Sequence, residues 1–129
     1  MPSEVVSAAG QPEPDGPYAP ATLATGSRIL SISGQVAHDE SGRLVGGADV
    51  AEQTRQTLRN IEALLEAAGA TRNDIARIAV YLTDIADRPI VARVREEYFG
   101  DHRPASTLVE VSALAFPELR VEISATCIF

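Results

Sequence analysis

Apolar and polar residues alternate along the last stretch of the chain, Leu119-Arg-Val-Glu-Ile-Ser-Ala-Thr-Cys-Ile-Phe129. Alternation with a period of two is the mark of a β-strand with one covered face, and it excludes a helix here. The preceding stretch, Arg103-Pro-Ala-Ser-Thr-Leu-Val-Glu-Val-Ser-Ala-Leu114, has the same character, and Pro117 breaks the chain between the two. Glu122 stands between Val121 and Ile123 in the most apolar of these runs. A carboxylate there faces either water at a sheet surface or a partly dry cleft, where its pKa rises. Spacing alone leaves both readings open.

A chain with two such strands at its end needs other elements to cover them. The residues Asp49 to Ala68 supply the clearest one: Val50, Thr54, Thr57, Leu58, Ile61, Leu64, Leu65 and Ala68 fall on one helical stripe. Asp49 with Glu52 resembles a capping box, and Gly69 gives the stop. Gln53, Gln56 and Asn60 read as hydrogen-bonding residues at the boundary between helix and sheet. A second helix is expected over Asp87 to Phe99, with Pro89 tolerated in its first turn. Its buried side is assigned to Ile90, Val91, Val94, Tyr98 and Phe99, and its solvated side to Arg93, Arg95, Glu96 and Glu97. Thr71 to Asp74 reads as a capped turn, and Ile75 to Leu82 as a strand with Ile78, Val80 and Leu82 on one face.

The amino-terminal third is punctuated by glycine and proline. Glu4-Val-Val-Ser7 is a short candidate strand. Gln11-Pro-Glu-Pro-Asp-Gly-Pro-Tyr-Ala-Pro20 is then a stiff extended loop, because proline fixes φ and removes a donor. Tyr18 in that loop either covers the edge of the core or holds its ring and hydroxyl over a pocket. Ala21–Thr25 and Arg28–Val36 flank Gly26-Ser27, which predicts a hairpin. Gly34 inside the second run predicts a bulge or a close backbone approach, where a ligand reaches main-chain groups. The element order β-β-β-α-β-α-β-β, with two amphipathic helices and one sheet, defines a two-layer α+β sandwich in one domain, 1–129.

Composition narrows the function classes. The formal net charge of −7 and the lack of a clustered basic patch argue against nucleic acid, whose affinity rests on Lys and Arg. His38 and His102 are the only histidines, so no metal-ligand spacing exists. The one cysteine, Cys127, has no internal disulfide partner, which fits a reducing compartment. No apolar stretch approaches the length of a membrane span and no leader pattern opens the chain. A soluble, cytoplasmic protein is expected.

Gly16-Pro-Tyr-Ala-Pro-Ala21, Ser33-Gly-Gln35, Gln53-Thr-Arg-Gln-Thr-Leu-Arg-Asn60 and Glu66-Ala-Ala-Gly69 occur in this order. Asp74-Ile75, Tyr98-Phe99, Pro104-Ala-Ser106 and Val121-Glu-Ile123 follow. Jointly they resemble the Rid family (reactive intermediate deaminase, also called YjgF/YER057c/UK114) from about residue 14 to residue 129. The resemblance implies a chorismate-mutase-like fold and a homotrimer whose helices pack outside a central barrel of sheets. It also implies three ligand clefts between subunits. Deaminase members hydrolyse enamines and imines, such as 2-aminoacrylate released by pyridoxal-phosphate enzymes, to 2-keto acids and ammonia without metal or cofactor.

By the same resemblance, Tyr18, Ser33, Gly34 and Glu122 line the cleft, with Glu122 positioning or activating the attacking water. Main-chain groups near Gly34 and Thr107 would stabilise developing charge. Four departures stand out. Ser106 occupies the place where the deaminases carry an arginine that clamps the substrate carboxylate, and Leu108 replaces a cysteine. A helix-borne asparagine before the Tyr-Phe pair becomes Ala92, and the loop before Pro104 is short. Losing the clamp costs about ten- to a hundredfold in affinity for a 2-imino acid, with Arg103 expected at the rim and Arg120 able to neutralise Glu122 instead. The leading expectation is therefore an imine or enamine hydrolase with a preference altered from 2-imino acids. A non-catalytic metabolite-binding or accessory trimer comes second and an endoribonuclease-type activity third.

Overall fold

A computed structural model describes residues 3–129. Its strands are β1 (Glu4–Val6), β2 (Ala21–Leu23), β3 (Ile29–Gln35), β4 (Ile75–Leu82), β5 (Ala105–Glu110) and β6 (Val121–Ile128). The helices are α1 (Val50–Ala68) and α2 (Arg88–Phe99). The element order is the expected one. The main sheet runs β3-β6-β4-β5. Its central strand β6 is antiparallel to both neighbours, and β5 joins β4 in parallel across the crossover helix α2.

The alternation that opens the sequence is realised residue by residue. Val121, Ile123, Ala125 and Cys127 are buried against the helices, and the residues between them are half-buried on the other face. Ile78, Val80 and Leu82 of β4 and Ile32 of β3 complete the sheet's half of one apolar cluster. Leu58, Ile61 and Leu65 from α1 and Val91, Val94 and Phe99 from α2 fill the other half. Each such side chain contributes about 1.5–3 kcal/mol on burial.

Helix α1 begins and ends where its caps dictate. The Asp49 carboxylate accepts hydrogen bonds from the amides of Ala51 and Glu52 at 2.9 and 3.3 Å. Gly69 closes the helix in the left-handed region at φ 79°. Thr54 and Thr57 lie in the buried stripe with their hydroxyls satisfied, because each donates to the carbonyl four residues back. Leu64, placed on the same stripe by its spacing, is 41% exposed.

Three expectations need correction. Ala21–Thr25 and Arg28–Val36 do not form a hairpin: β2 pairs with β1, and β3 pairs with β6. The amides of Ser27 and Arg28 donate instead to the carbonyl of Phe129, at 3.1 and 2.9 Å. Pairing with β6 sets Leu30 opposite Cys127 and Ile32 opposite Ala125 on the core face, a burial that a local hairpin does not offer. Second, β1 and β2 form a separate two-stranded ribbon, so the strands make two sheets and not one. Third, the faces of α2 are misassigned at two positions, because Arg95 is buried at 3% exposure while Ile90 is 36% exposed.

Gln53 ties the loops to the core. Its amide donates to the carbonyls of Gly47 and Glu118 at 2.8 and 3.0 Å and accepts from the amide of Arg120 at 2.9 Å. Asn60 does the same for the β3–α1 connection, donating to the carbonyls of Val36 and His38, both at 2.9 Å. Replacing Gln53 by leucine keeps the apolar volume but strands three backbone groups. Gln53→Leu is expected to lower the unfolding free energy by about 3 kcal/mol, read as a shift in denaturant midpoint at unchanged m-value.

Candidate functional site

Glu122 lies on the sheet face that the helices leave bare. Between the pairs Ile32↔Ala125 and Gln35↔Ile123, Ser33 and Gly34 of β3 stand opposite Ser124 alone, which is a β-bulge. The expected bulge is therefore present, and so is the close approach. A Cβ built on Gly34 would lie 2.3 Å from Oε2 of Glu122, so the carboxylate rests directly on the bulge backbone. The acid is half-buried, and no hydrogen bond or ion pair engages it among the described residues. Arg120 does not neutralise it: that guanidinium donates to Asp87 and to the carbonyl of Ala48, both at 2.7 Å.

Tyr18 and Ser106 are elsewhere in the chain, lining a cleft of about 500 Å³ between the proline-rich loop, α2 and β5. Ser106 and Leu108 share the helix-facing side of β5, in register with Ile78 and Val80. The Tyr18 hydroxyl donates to Asp15 at 2.8 Å, and Arg88 at the start of α2 pairs with the same carboxylate at 3.0 Å. That triad holds the loop across the cleft. Thr107 points to the opposite side of β5, where its hydroxyl accepts from Arg77 at 2.6 Å. Arg103 is engaged with the carbonyls of Gly100 and His102 on its own loop.

One chain thus brings the six predicted residues together in two groups and one outlier. Ser33, Gly34 and Glu122 meet at the β3–β6 edge, Tyr18 and Ser106 meet at the β5 edge, and Thr107 stands apart.

Arg95 is the residue that the sequence reading missed. It also lines the cleft, and its Nε and Nη2 are buried with no hydrogen-bond partner. Burial, with the nearby charges of Arg103 and Arg88, pushes this guanidinium down to about 10. The signal was in the spacing: position 95 follows Val91 by four residues and Val94 by one, which puts it on the buried stripe of α2. No cluster of three or more His, Cys, Asp or Glu suited to a metal ion is found among the described residues, and none of their helices is long and apolar enough to cross a membrane.

This α+β fold has solved counterparts. YyfB of Yersinia pestis, described as a protein of unknown function of the conserved Rid family, superposes with a TM-score of 0.89 at 35% identity over 100% of both chains. The family model for Endoribonuclease L-PSP matches residues 8–129. The 3-aminoacrylate deaminase RutC of Acinetobacter baylyi is 38% identical over 96% of this chain and 96% of its own length. The human 2-iminobutanoate/2-iminopropanoate deaminase is 38% identical over 96% of this chain and 88% of its own. The chain belongs to the Rid (YjgF/YER057c/UK114) family, as its ordered motifs indicate.

The loop triad makes a titration test. The Tyr18 hydrogen bond, then the Arg88 contact, hold the Asp15 carboxyl below the usual carboxylate range. A depressed folded-state pKa means that the triad's contribution is present above the ordinary aspartate pKa and is lost as pH falls through the lowered value. By NMR, the Asp15 carboxyl carbon is expected to titrate below the ordinary aspartate range. Tyr18→Phe and Arg88→Gln should each move it back up.

Proposed function

We propose that this protein hydrolyses the C–N bond of a small imine or enamine, in a cleft completed by a neighbouring copy of the chain. The observation that carries this reading is the placement of Glu122. It is a half-buried acid without a partner among the described residues, seated on a glycine bulge where only hydrogen fits. Its free oxygens suit it to hold a water. The water oxygen attacks the C=N carbon while Glu122 takes up a proton. Glu122 passes that proton to the nitrogen to give a carbinolamine. It then relays the carbinolamine hydroxyl proton to the same nitrogen, so that the C–N bond breaks, ammonia leaves and a carbonyl remains. An enamine enters the same path once its carbon is protonated. The printed activities of the Acinetobacter and human relatives, both deaminases, support this chemistry.

The sheet supports this assembly. Its two edges are β3 and β5, with the acid near one and the Tyr18–Ser106 cleft at the other. A head-to-tail contact repeated around a ring joins unlike edges, so the acid of one copy approaches the cleft of the next. Ile29 at 71% and Val109 at 40% exposure lie on the bare sheet face, and burying them supports a homotrimer with that face inward. Among the alternatives, the ribonuclease reading draws no support from the histidines. His102 is bound to the carbonyl of Ile75 at 2.7 Å, and His38 packs edge-on against Phe116.

The test is keto-acid release from enzymatically generated 2-aminoacrylate and longer 2-imino acids, with 3-aminoacrylate followed as its own disappearance. Wild type is expected to accelerate at least one of these over buffer. Glu122→Gln should lose about a hundredfold or more. Gly34→Ala, which forces the carboxylate off the bulge, should lose a comparable amount with the fold intact. No acceleration by wild type on any of them would leave the non-catalytic binding trimer as the reading.

A further inference from the structure

We propose that Arg95 is the anion clamp of the cleft, taking a substrate carboxylate from helix α2 at a place where the chain carries only a serine on β5. The proposal rests on the reading of the cleft as a substrate site, and it reverses the expectation that Ser106 shifts the preference away from 2-imino acids.

Several observations converge on Arg95. A buried guanidinium is normally paired, because an uncompensated charge in the interior is strongly unfavourable. Arg95 is 3% exposed, and neither its Nε nor its Nη2 has a partner. Those two nitrogens form one edge of the guanidinium, the edge that makes two parallel hydrogen bonds to a carboxylate. The other cation lining the cleft, Arg88, is already engaged by Asp15 at 3.0 Å. The free positive valence of the cleft therefore belongs to Arg95, and Arg88 and Arg103 add to the positive potential around it.

The neighbouring side chains leave room for this. Long side chains on a helix lean back toward its amino end and over the residue three or four positions earlier. For Arg95 that residue is Ala92, which also lines the cleft and is small. Ser106, across the cleft on β5, is small as well. A second arginine at position 106 would set two buried guanidinium groups against one another, so this geometry admits one clamp. The ligand enters between the Tyr18 loop and α2 and presents its carboxylate to the Arg95 fork, with its reactive carbon toward the mouth where a neighbouring Glu122 would arrive.

Equilibrium binding tests the clamp without turnover. The probes are 2-oxobutanoate, a stable carboxylate, and 2-butanone, which lacks the charge, both titrated by NMR into the assembled protein. Wild type is expected to bind 2-oxobutanoate at least about tenfold more tightly than 2-butanone. The Arg95 Nε–H resonance should shift on saturation with 2-oxobutanoate and not with 2-butanone. Arg95→Gln should lose about ten- to a hundredfold for 2-oxobutanoate and leave 2-butanone unchanged. It should also melt at or above the wild-type temperature, since it removes an unpaired buried charge.

Equal affinity of wild type for the two probes overturns the proposal, and so does an Arg95 resonance indifferent to 2-oxobutanoate. Both are read on wild type, so they hold even if Arg95→Gln fails to fold. Carboxylate binding through Arg95 in a protein that accelerates no deamination would sink the hydrolase reading and keep the clamp. Deamination by wild type that Arg95→Gln leaves untouched would do the reverse.

Discussion

Strand β6 carries the structure. It lies between β3 and β4 and is antiparallel to both, and its four inward residues, Val121, Ile123, Ala125 and Cys127, close the apolar cluster beneath the two helices. Because successive side chains in a strand point to opposite faces, committing those four to the core also commits Glu122, Ser124 and Thr126 to the bare face. A slip of one residue would invert both sets, so the burial that stabilises the fold also fixes where the acid points. The bulge at Ser33-Gly34 then absorbs one extra residue on the neighbouring strand exactly opposite this set, and its missing Cβ is what lets the Glu122 carboxylate lie down on the backbone.

Buried polar groups in this protein sort by whether they have partners. Gln53 is fully buried and uses both ends of its amide on loop backbone, so it serves the fold. Arg120 and Asp87 satisfy one another near the amino end of α2. Arg95 and Glu122 differ from these. Among the described residues, one is a buried cation whose Nε and Nη2 have no partner and the other a half-buried acid with no partner. Unpaired groups of this kind oppose folding, and they persist where a ligand or a water completes them. The two lie near opposite edges of the same sheet, which is the arrangement a closed ring of copies would bring together.

The correction at Arg95 also changes how the departures from the family pattern read. Ser106 and Ala92, taken one at a time, look like losses from a carboxylate site. Placed in the fold, both line the same cleft as Arg95. In that arrangement helix α2 supplies the buried positive group of the cleft.

The sequence by itself determined what depends on local period and local chemistry. The alternation of β6, the stripe and caps of α1, the limits of β4 and the bulge at Gly34 were all legible, because each is set by neighbours within a few residues. Pairing was not legible: Gly26-Ser27 offers a sound turn, but β3 gains more buried apolar surface against β6, almost a hundred residues away in the chain, and only the tertiary structure shows that comparison. Arg95 is the sharper case. Its spacing put it on the buried stripe, yet its charge argued for solvent, and charge prevailed in the reading because long cationic side chains are rarely buried unpaired. What decided otherwise is the docking of α2 on the sheet, which buries position 95 in a cleft also lined by Ala92 of the same helix and Ser106 of a distant strand.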